Sequence, residues 1–339
     1  MLFRPLASFA ATFALATFVS GACAQSLAPL EPPADAGVVR GWLIRIHEAA
    51  SKKNFQGTFV VSAAGRVSSS SIAHYLDNGE QLERIESLDG QMRQVYRRNN
   101  VVSTLWPKNA IAVVEQRDLL TSFPALLQAG GDHIVDFYDV SRAGTERVAG
   151  FEADVLQVRP KDQLRFGYRL WSEKASGLLL RAEVLDANDQ VLESSAFSEV
   201  AIGVRPQPQS VLGPMKKLGA FKVIRPSMTP AHFDAEGWSL RQVVPGFRQV
   251  SCVKRSVSAP SDSASGTPQV LQAIFSDGLT YVSVFVEPFD SVRHARAMQT
   301  SIGATQTFMH RQGDWWITVI GDVPAATLSQ FANGLERRK

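Results

Sequence analysis

The sequence predicts an α+β protein, with a large N-terminal antiparallel sheet domain followed by a smaller C-terminal α+β domain. Residues 165–197 alternate as three consecutive strands, with Phe166, Tyr168 and Leu170 sharing one face of the first. Short strand-like runs separated by turn residues fill residues 55–116. Beyond a proline-containing stretch, strands and helices alternate in mixed order, which is typical of a small α+β domain.

The first residues have the pattern of a secretory signal peptide. Arg4 precedes an apolar run, and the small residues Ala22 and Ala24 precede Gln25. We therefore predict a signal peptide over residues 1–24, cleavage after Ala24 and export from the cytoplasm. A retained membrane anchor and a lipoprotein modified at Cys23 are the alternatives, but the leucine usual three positions before such a cysteine is absent.

Composition excludes some classes of function. Lys and Arg number 35 against 32 Asp and Glu, a formal charge of +3 that is too small to indicate nucleic acid binding. After cleavage only Cys252 remains, so no intramolecular disulfide can form. We interpret Cys252 as a buried free thiol.

The N-terminal domain is predicted over residues 25–204. Apolar residues at helical spacing from Val38 to Ala49 predict an amphipathic helix. Six strand-like runs follow, and the pairs Asn78-Gly79 and Asp89-Gly90 are the strongest hairpin signals in the chain. About ten strands are more than a flat sheet usually carries without curling, so we expect a curved sheet.

A lipid-binding site is one hypothesis for the concave side of this sheet. An apolar segment after the sixth strand could lie over it as a lid, although a helix that simply closes the core is the alternative. Arginines near strand ends could meet lipid phosphates, or could be a solvated basic edge. The candidate lipid-binding residues are Trp106, Leu119, Phe123, Leu126, Leu127, Arg93 and Arg97.

The second half of the chain contains a linker and the smaller domain. Pro206, Pro208 and Pro214 favour an extended linker over residues 205–224, and the C-terminal domain is predicted over 225–339. Within that domain the pattern predicts hairpins turned at Asp277-Gly278 and Gln312-Gly313. It also predicts a short helix at 290–298 and a closing helix started by Pro324.

Catalytic and metal-binding motifs are missing from the sequence. It contains no HExxH, GxSxG, Walker or GxGxxG pattern, and its six histidines are scattered. Ser251 and Lys254 match SxxK without the companion KTG motif. We therefore predict a protein that is not an enzyme and uses no cofactor and no metal.

Exposed aromatic residues are the candidates for a protein contact. Trp315 and Trp316 are adjacent, so a strand would place one indole on each face, one in the core and the other available to a partner. With Tyr281 and Phe285 of the preceding hairpin they form the candidate partner-binding set.

Several ordered blocks of the sequence resemble the RseB/MucB family of periplasmic regulators. These are the run from Tyr138 to Glu193, VVPGFRQV at 243–250, SDGLTYVSVFVE at 276–287 and WWITVIGDVP at 315–324. The resemblance extends from about Gly41 to the last helix. It implies a large domain like the LolA and LppX lipoprotein carriers, a half-open antiparallel barrel over helices, and a smaller α+β domain.

The resemblance also implies a function. Such proteins bind the periplasmic region of a membrane-spanning anti-sigma factor of the RseA/MucA type and shield it from site-1 proteolysis. They thereby repress an envelope-stress sigma factor, and lipid or lipopolysaccharide releases them. A periplasmic lipid or lipoprotein carrier is the alternative, an envelope hydrolase has no residue constellation in its favour, and homo-oligomer formation stays open.

Overall fold

Two sheet domains make up the described structure. The computed structural model describes residues 31–116, 133–256, 269–294 and 296–338. The strands of the N-terminal domain are β1 (Phe55–Ala63), β2 (Arg66–Asp77), β3 (Glu80–Ser87), β4 (Gln94–Arg98), β5 (Val101–Trp106), β6 (Ile111–Gln116), β7 (Tyr138–Val148), β8 (Phe151–Pro160), β9 (Gly167–Glu173), β10 (Leu179–Leu185), β11 (Val191–Ile202) and β12 (Lys222–Ile224). Its helices are α1 (Ala36–Lys52), α2 (Ile134–Phe137) and α3 (Gln209–Lys216).

One open sheet contains all twelve strands of this domain, in the order β12-β6-β5-β4-β3-β2-β1-β11-β10-β9-β8-β7. Neighbouring strands are antiparallel except β12, which runs parallel to β6. The end strands β7 and β12 do not pair with each other, so the sheet is not closed. The prediction of a large unclosed antiparallel sheet with helices is confirmed.

Local sequence explains the long meander β1 to β6. Asn78 and Gly79 have φ values of 49° and 81°, the left-handed conformation that tight hairpin turns require. Alternating side chains then place one set of residues on each face of every strand. The first predicted strand has the observed bounds, Phe55–Ala63.

Two helices cover opposite faces of the sheet. On one face, α1 buries Val39, Leu43 and Ile46 in a cluster with Leu156 and Leu170. The cluster on the other face contains Val211 of α3 and the strand residues Tyr75, Leu82 and Tyr96. We call these the α1 face and the α3 face.

The extended linker predicted over residues 205–224 is corrected by the structure. Residues Gln209–Lys216 form α3, and Lys222–Ile224 form β12 at the edge of the large sheet. Pro208 lies at the helix N-cap, where a missing N–H costs nothing. The buried side chain of Val211 and the partly buried Leu212 and Met215 hold this segment on the sheet, outweighing the proline signal.

The C-terminal domain contains a seven-stranded sheet with the order β13-β15-β16-β17-β20-β19-β18, and a two-stranded sheet of β14 and β21. Its elements are β13 (Met228–Pro230), β14 (Trp238–Leu240), β15 (Arg248–Ser256), β16 (Gln269–Ser276), β17 (Tyr281–Pro288), β18 (Met298–Ile302), β19 (Thr305–Gln312), β20 (Trp315–Gly321), α4 (Ala325–Gly334) and β21 (Leu335–Arg337). Leu328 and Phe331 of α4 pack on one face of the larger sheet against Val284 and Val319. The helix predicted at 290–298 is wrong, because 291–293 form a turn and Met298 begins β18.

The two domains share a buried contact. Leu279, in the turn between β16 and β17, is 2% exposed and belongs to the N-terminal cluster that contains Tyr138 and Tyr168. A hairpin tip of the C-terminal domain therefore fills part of the apolar core beneath α1. No helix in the described residues is long and apolar enough to span a membrane.

Candidate functional site

A cavity of about 260 Å³ lies on the α1 face of strands β3 to β6. In the sheet register, Arg97 stands opposite Glu83 and Val102, and Val95 stands opposite Thr104. Residues directly opposite in antiparallel strands share a face, so these alternate residues form one surface. The lining residues are Glu83, Ile85, Arg93, Val95, Arg97, Val102, Thr104, Trp106, Val113 and Glu115. Its four charged residues, Glu83, Arg93, Arg97 and Glu115, sum to zero, and we call it the basic pocket after the arginine at its rim.

The structure thus brings together three of the predicted lipid-binding residues. Arg93, Arg97 and Trp106 come from two strands and the loop before them, and all three line the basic pocket. The other four candidates, Leu119, Phe123, Leu126 and Leu127, lie outside the described residues, as does the predicted lid.

Charges in the basic pocket are mostly paired. Arg97 Nη1 lies 3.6 Å from Glu83 Oε2, and both side chains are 7% exposed. Burial raises the pKa of the Glu83 carboxyl, and Arg97 offsets part of this increase. Glu115 Oε2 lies 3.8 Å from Arg255 Nη2 of β15, so the pocket reaches the C-terminal domain.

Arg93 is the cation at the rim. Arg93 is exposed, and its side chain forms no ion pair within the described part of the chain. An anionic group entering the pocket would meet Arg93 without displacing a carboxylate, whereas Arg97 is already beside Glu83. Ile85, Val95 and Val113 supply apolar walls next to the Trp106 indole.

Two larger cavities lie elsewhere on the molecule. One of about 450 Å³ on the β1, β2 and β11 strands is lined mainly by polar residues such as Gln56, Thr58 and Arg84. Another of about 680 Å³ lies beside the domain contact, where Asp162 and Asp189 are among its walls. The cavity beside the domain contact also has apolar walls, but its rim cation Arg159 pairs with Asp189, whereas Arg93 has no ion pair in the described residues.

The candidate partner-binding residues divide between two faces of the C-terminal sheet. Phe285 stands opposite Thr318, and Glu287 stands opposite Trp316, so Tyr281, Phe285 and Trp316 lie on the side away from α4. We call this side the outer face. Trp315 lies on the α4 side, where its ring meets the Trp238 ring at 5.6 Å, nearly perpendicular to it.

Their exposure also differs. Tyr281 and Phe285 are half-buried, whereas Trp316 is only 6% exposed. The Trp316 ring stacks on His294 at a centroid distance of 4.8 Å and an angle of 4°. His294 Nε2 lies 3.4 Å from Glu287 Oε1, which holds the imidazole against the indole.

Sequence reasoning missed the acidic members of the basic pocket. Alternation within β3 and β6 could have placed Glu83 and Glu115 on the same face as the apolar residues. No local signal could have indicated that Arg255, in the other domain, approaches Glu115.

These features define a class of protein. The chain is a two-domain, sheet-rich protein that offers a pocket, and no group of metal-ligating side chains occurs in the described ranges. Models of the MucB/RseB N-terminal domain and the MucB/RseB C-terminal domain match residues 39–215 and 232–336. The chain belongs to the MucB/RseB family.

Curated relatives match along nearly their whole length. The sigma factor AlgU regulatory protein MucB of Pseudomonas aeruginosa is 29% identical over 310 residues, which covers 89% of this chain and 92% of the relative. The sigma-E factor regulatory protein RseB of Haemophilus influenzae is 23% identical over 296 residues, covering 87% and 90%.

Solved structures agree in fold. The Pseudomonas aeruginosa MucA/MucB complex contains a chain with a TM-score of 0.67 and 26% identity, covering 90% of this chain and 100% of that one. A crystal structure of MucB gives a TM-score of 0.64 at 25% identity, covering 89% and 98%. The likeness therefore extends over both domains.

Proposed function

We propose that this protein is a periplasmic regulator that binds the periplasmic region of a membrane-spanning anti-sigma factor of the RseA/MucA type. By covering that region it shields the anti-sigma factor from site-1 proteolysis and so represses an envelope-stress sigma factor. The observation that supports this most is the match of both domains and of their order to MucB and RseB, relatives named as sigma factor regulatory proteins. A solved relative was crystallised with the periplasmic part of MucA.

The proposed activity is binding, not catalysis. The described residues contain no group of metal ligands, and the sequence contains none of the nucleophile or phosphate-binding motifs considered above. A partner that is largely disordered when free can wrap around a two-domain surface, at an ordering cost of several kcal/mol.

Lipid is the proposed releasing ligand, and the basic pocket is its proposed site. Its volume of about 260 Å³ is slightly below the ~300 Å³ at which small-molecule pockets usually begin. The pocket therefore suits the phosphate end of a lipid and its first methylene groups rather than a whole acyl chain. Arg93 would pair with the phosphate, and Trp106 and Val113 would cover the methylenes.

Release follows from coupling between the pocket and the domain contact. Glu115 lines the basic pocket and faces Arg255 of the C-terminal domain. A ligand anion beside Glu115 repels this carboxylate and changes its pairing with Arg255. The ligand can shift the domain arrangement only by the difference in its affinity for the two arrangements.

The test is a titration of the chain from Gln25 onward against the purified periplasmic segment of the anti-sigma factor from the same organism. We expect tight binding that lipopolysaccharide weakens. No binding of that segment, together with lipid in the purified protein, would contradict the regulator and favour the second candidate, a periplasmic lipid or lipoprotein carrier. The carrier is favoured by the basic pocket alone.

A matched pair of variants tests the lipid site. Arg93→Gln removes the rim cation, and we expect it to weaken lipopolysaccharide binding about tenfold, the effect of losing one charge-assisted hydrogen bond. Arg98→Gln is the control, because Arg98 lies on the α3 face and pairs with Glu80 at 3.1 Å. Equal lipid affinity of the two variants would exclude the basic pocket as the site.

A further inference from the structure

The sheet edges of this protein are protected unequally. An edge strand presents unpaired N–H and C=O groups, and proteins usually block such edges with short strands, charges, proline or covering chain. On β7, Ala34 N donates to Val140 O at 2.8 Å, so the segment before α1 covers part of that edge. The edges β12 and β13 are three residues long, with Lys222 in the first and Pro230 in the second.

Within the part of the chain that the structure describes, the edge strand β18 has none of these protections. Its five residues, MQTSI, are all exposed and include no charge and no proline. It pairs with β19 on one side, and in the described ranges no backbone hydrogen bond reaches its other side. Such an edge is a template for another extended chain.

The register shows which backbone groups are available. Ile302 and Thr305 pair across the two-residue turn formed by Gly303 and Ala304, so they exchange hydrogen bonds with each other. Hydrogen-bonded and non-hydrogen-bonded pairs alternate along an antiparallel ladder. The N–H and C=O groups of Gln299 and Ser301 therefore point away from β19, toward a strand that could be added.

Two side chains of this edge strand, Met298 and Ile302, are apolar. Met298 stands opposite Met309, which stands opposite Thr318, and this register places Met298 on the outer face with Phe285. Ile302 alternates onto the same face. Met298 is 42% exposed and Ile302 is 65% exposed, so an added strand with apolar residues at alternate positions would cover both.

We propose that β18 is the docking edge for an extended segment of the anti-sigma factor's periplasmic region, which adds as an eighth strand to the C-terminal sheet. The proposal rests on the proposed function and assigns a surface to it. The segment carries apolar residues at alternate positions and an acidic residue near the exposed Arg296, which precedes β18.

The surroundings of β18 favour this occupant. Gly303, at the end of β18, lies against the N-terminal domain, where a Cβ would be 2.8 Å from Ala63 Cβ. The exposed Val67 and Val191 lie close to that contact in the strand register. A segment that leaves β18 at this end passes directly onto the N-terminal domain, as expected for a partner that contacts both domains.

A second copy of this chain fits the edge less well. Five residues of strand extend about 17 Å, and edge pairing over that length buries far less than the ~800 Å² per partner of a stable interface. A flexible segment that is already bound at other points needs only a small additional binding free energy from pairing with this edge.

The experiment compares Ser301→Pro with Ser301→Ala. Proline removes the outward N–H, which an edge strand tolerates because β19 does not use it, whereas alanine keeps the N–H and loses only the hydroxyl. Titrated against the periplasmic segment, Ser301→Pro should bind on the order of tenfold more weakly, the loss of about one hydrogen bond, and Ser301→Ala should bind like the wild type. Amide hydrogen exchange on the wild type gives a second readout, in which Gln299 and Ser301 should slow when the segment binds.

The outcomes separate the two proposals. If the wild type does not bind the segment, the proposed function fails and the edge proposal fails with it. If the wild type binds but Ser301→Pro binds equally and the two amides exchange at an unchanged rate, the edge proposal alone is overturned. If Ser301→Pro abolishes self-association of the protein and leaves its affinity for the segment unchanged, the edge binds a second copy of the chain. That result also overturns the edge proposal.

Discussion

Arg165 Nε donates a hydrogen bond to Asp277 Oδ2 at 2.7 Å, and both side chains are completely buried between the two domains. Arg165 precedes β9 in the N-terminal domain, and Asp277 lies in the turn between β16 and β17 of the C-terminal domain. The Tyr138 hydroxyl donates to the same carboxylate oxygen at 2.9 Å. The other oxygen, Oδ1, accepts from the backbone N–H groups of Leu279 and Thr280.

The guanidinium of Arg165 is surrounded as completely as the carboxylate. It lies 4.4 Å from the ring centroid of Phe137 and 5.2 Å from that of Phe247, so aromatic rings of both domains contact it. It also donates to Pro245 O at 2.5 Å and to the Asp162 carboxylate. Both ions are desolvated but fully hydrogen-bonded. Removing one of them would therefore leave the other buried without its charge partner.

Arg165→Met is therefore expected to lower the free energy of unfolding by about 3 to 5 kcal/mol, the usual cost of leaving one buried ion unpaired. Urea denaturation followed by tryptophan fluorescence measures this, and separate transitions of the two domains should appear. Adding Asp277→Asn to this variant should restore part of the lost stability. In the double variant, neither member of the buried ion pair remains as an unpaired charge.

An exposed pair provides the control for that experiment. Arg159 Nη2 lies 3.0 Å from Asp189 Oδ2, and the two side chains are 49% and 52% exposed. Arg159→Met should cost no more than about 1 kcal/mol. Equal losses in Arg165→Met and Arg159→Met would show that the buried pair does not hold the domains together.

Gly246 is expected to be intolerant of a side chain. Its φ is +84°, and a Cβ would lie 2.2 Å from Arg165 Nη2 and 2.8 Å from the Phe137 ring. Gly246→Ala should destabilise the protein by about 1 to 3 kcal/mol through backbone strain, with displacement of Arg165 adding to it. Thermal unfolding followed by circular dichroism measures the change.

Gly41→Ala is the matched control, since Gly41 is an exposed residue of α1 and a Cβ there would meet nothing within 4 Å. Alanine has the higher helix propensity, so this variant should be stabilised by up to about 1 kcal/mol. We expect the two substitutions to change the stability in opposite directions. If Gly246→Ala stabilised the protein, the close approach of Gly246 to Arg165 and Phe137 would be refuted.

His74 should make stability depend on pH. Its side chain is buried, its ring stacks on Phe55 at 5.2 Å, and Nδ1 donates to Lys53 O at 2.8 Å. Burial lowers the pKa of His74 below the ordinary 6.5, and Arg97 lowers it further. Between the folded-state pKa and 6.5 the unfolded chain binds more protons, so the free energy of unfolding falls as pH falls through that range.

Urea unfolding between pH 5 and pH 8 measures this slope. His74→Gln should make it shallower, and His310, whose pKa burial also lowers, contributes to the slope that remains. His232→Gln, at an exposed histidine, should leave the profile unchanged. A profile for His74→Gln with the wild-type slope would assign the pH dependence to other groups.

Cys252 should be nearly inert to thiol reagents in the folded protein. Burial raises the pKa of its thiol to about 11, and Glu236 contributes to the increase. Because the thiolate is the reactive species, Ellman's reagent at pH 8 should react on the order of a hundredfold more slowly with the native chain than with the chain in urea. The chain from Gln25 onward has no other cysteine, so the assay reports this site alone. Native and unfolded rates of similar size would contradict the burial.

Local sequence was sufficient to predict the strands and hairpins. The bounds of β1 and the turn at Asn78-Gly79 follow from alternation and from the left-handed backbone that Asn and Gly tolerate, both of which depend on near neighbours. The α+β class and the two-domain order followed in the same way. Segments in which local signals conflicted were mispredicted, as when the prolines around α3 hid the apolar residues that attach it to the sheet.

Tertiary structure alone decided which distant residues meet. Arg165 and Asp277 are 112 positions apart, and Arg93 reaches the same pocket as Trp106 only because β4 and β5 pair in one register. The sequence predicted that Trp315 and Trp316 face opposite ways, but only packing showed that His294 covers Trp316. Backbone preference is set by a few neighbouring residues, whereas burial and ion pairing depend on surfaces that come together after the sheets have formed.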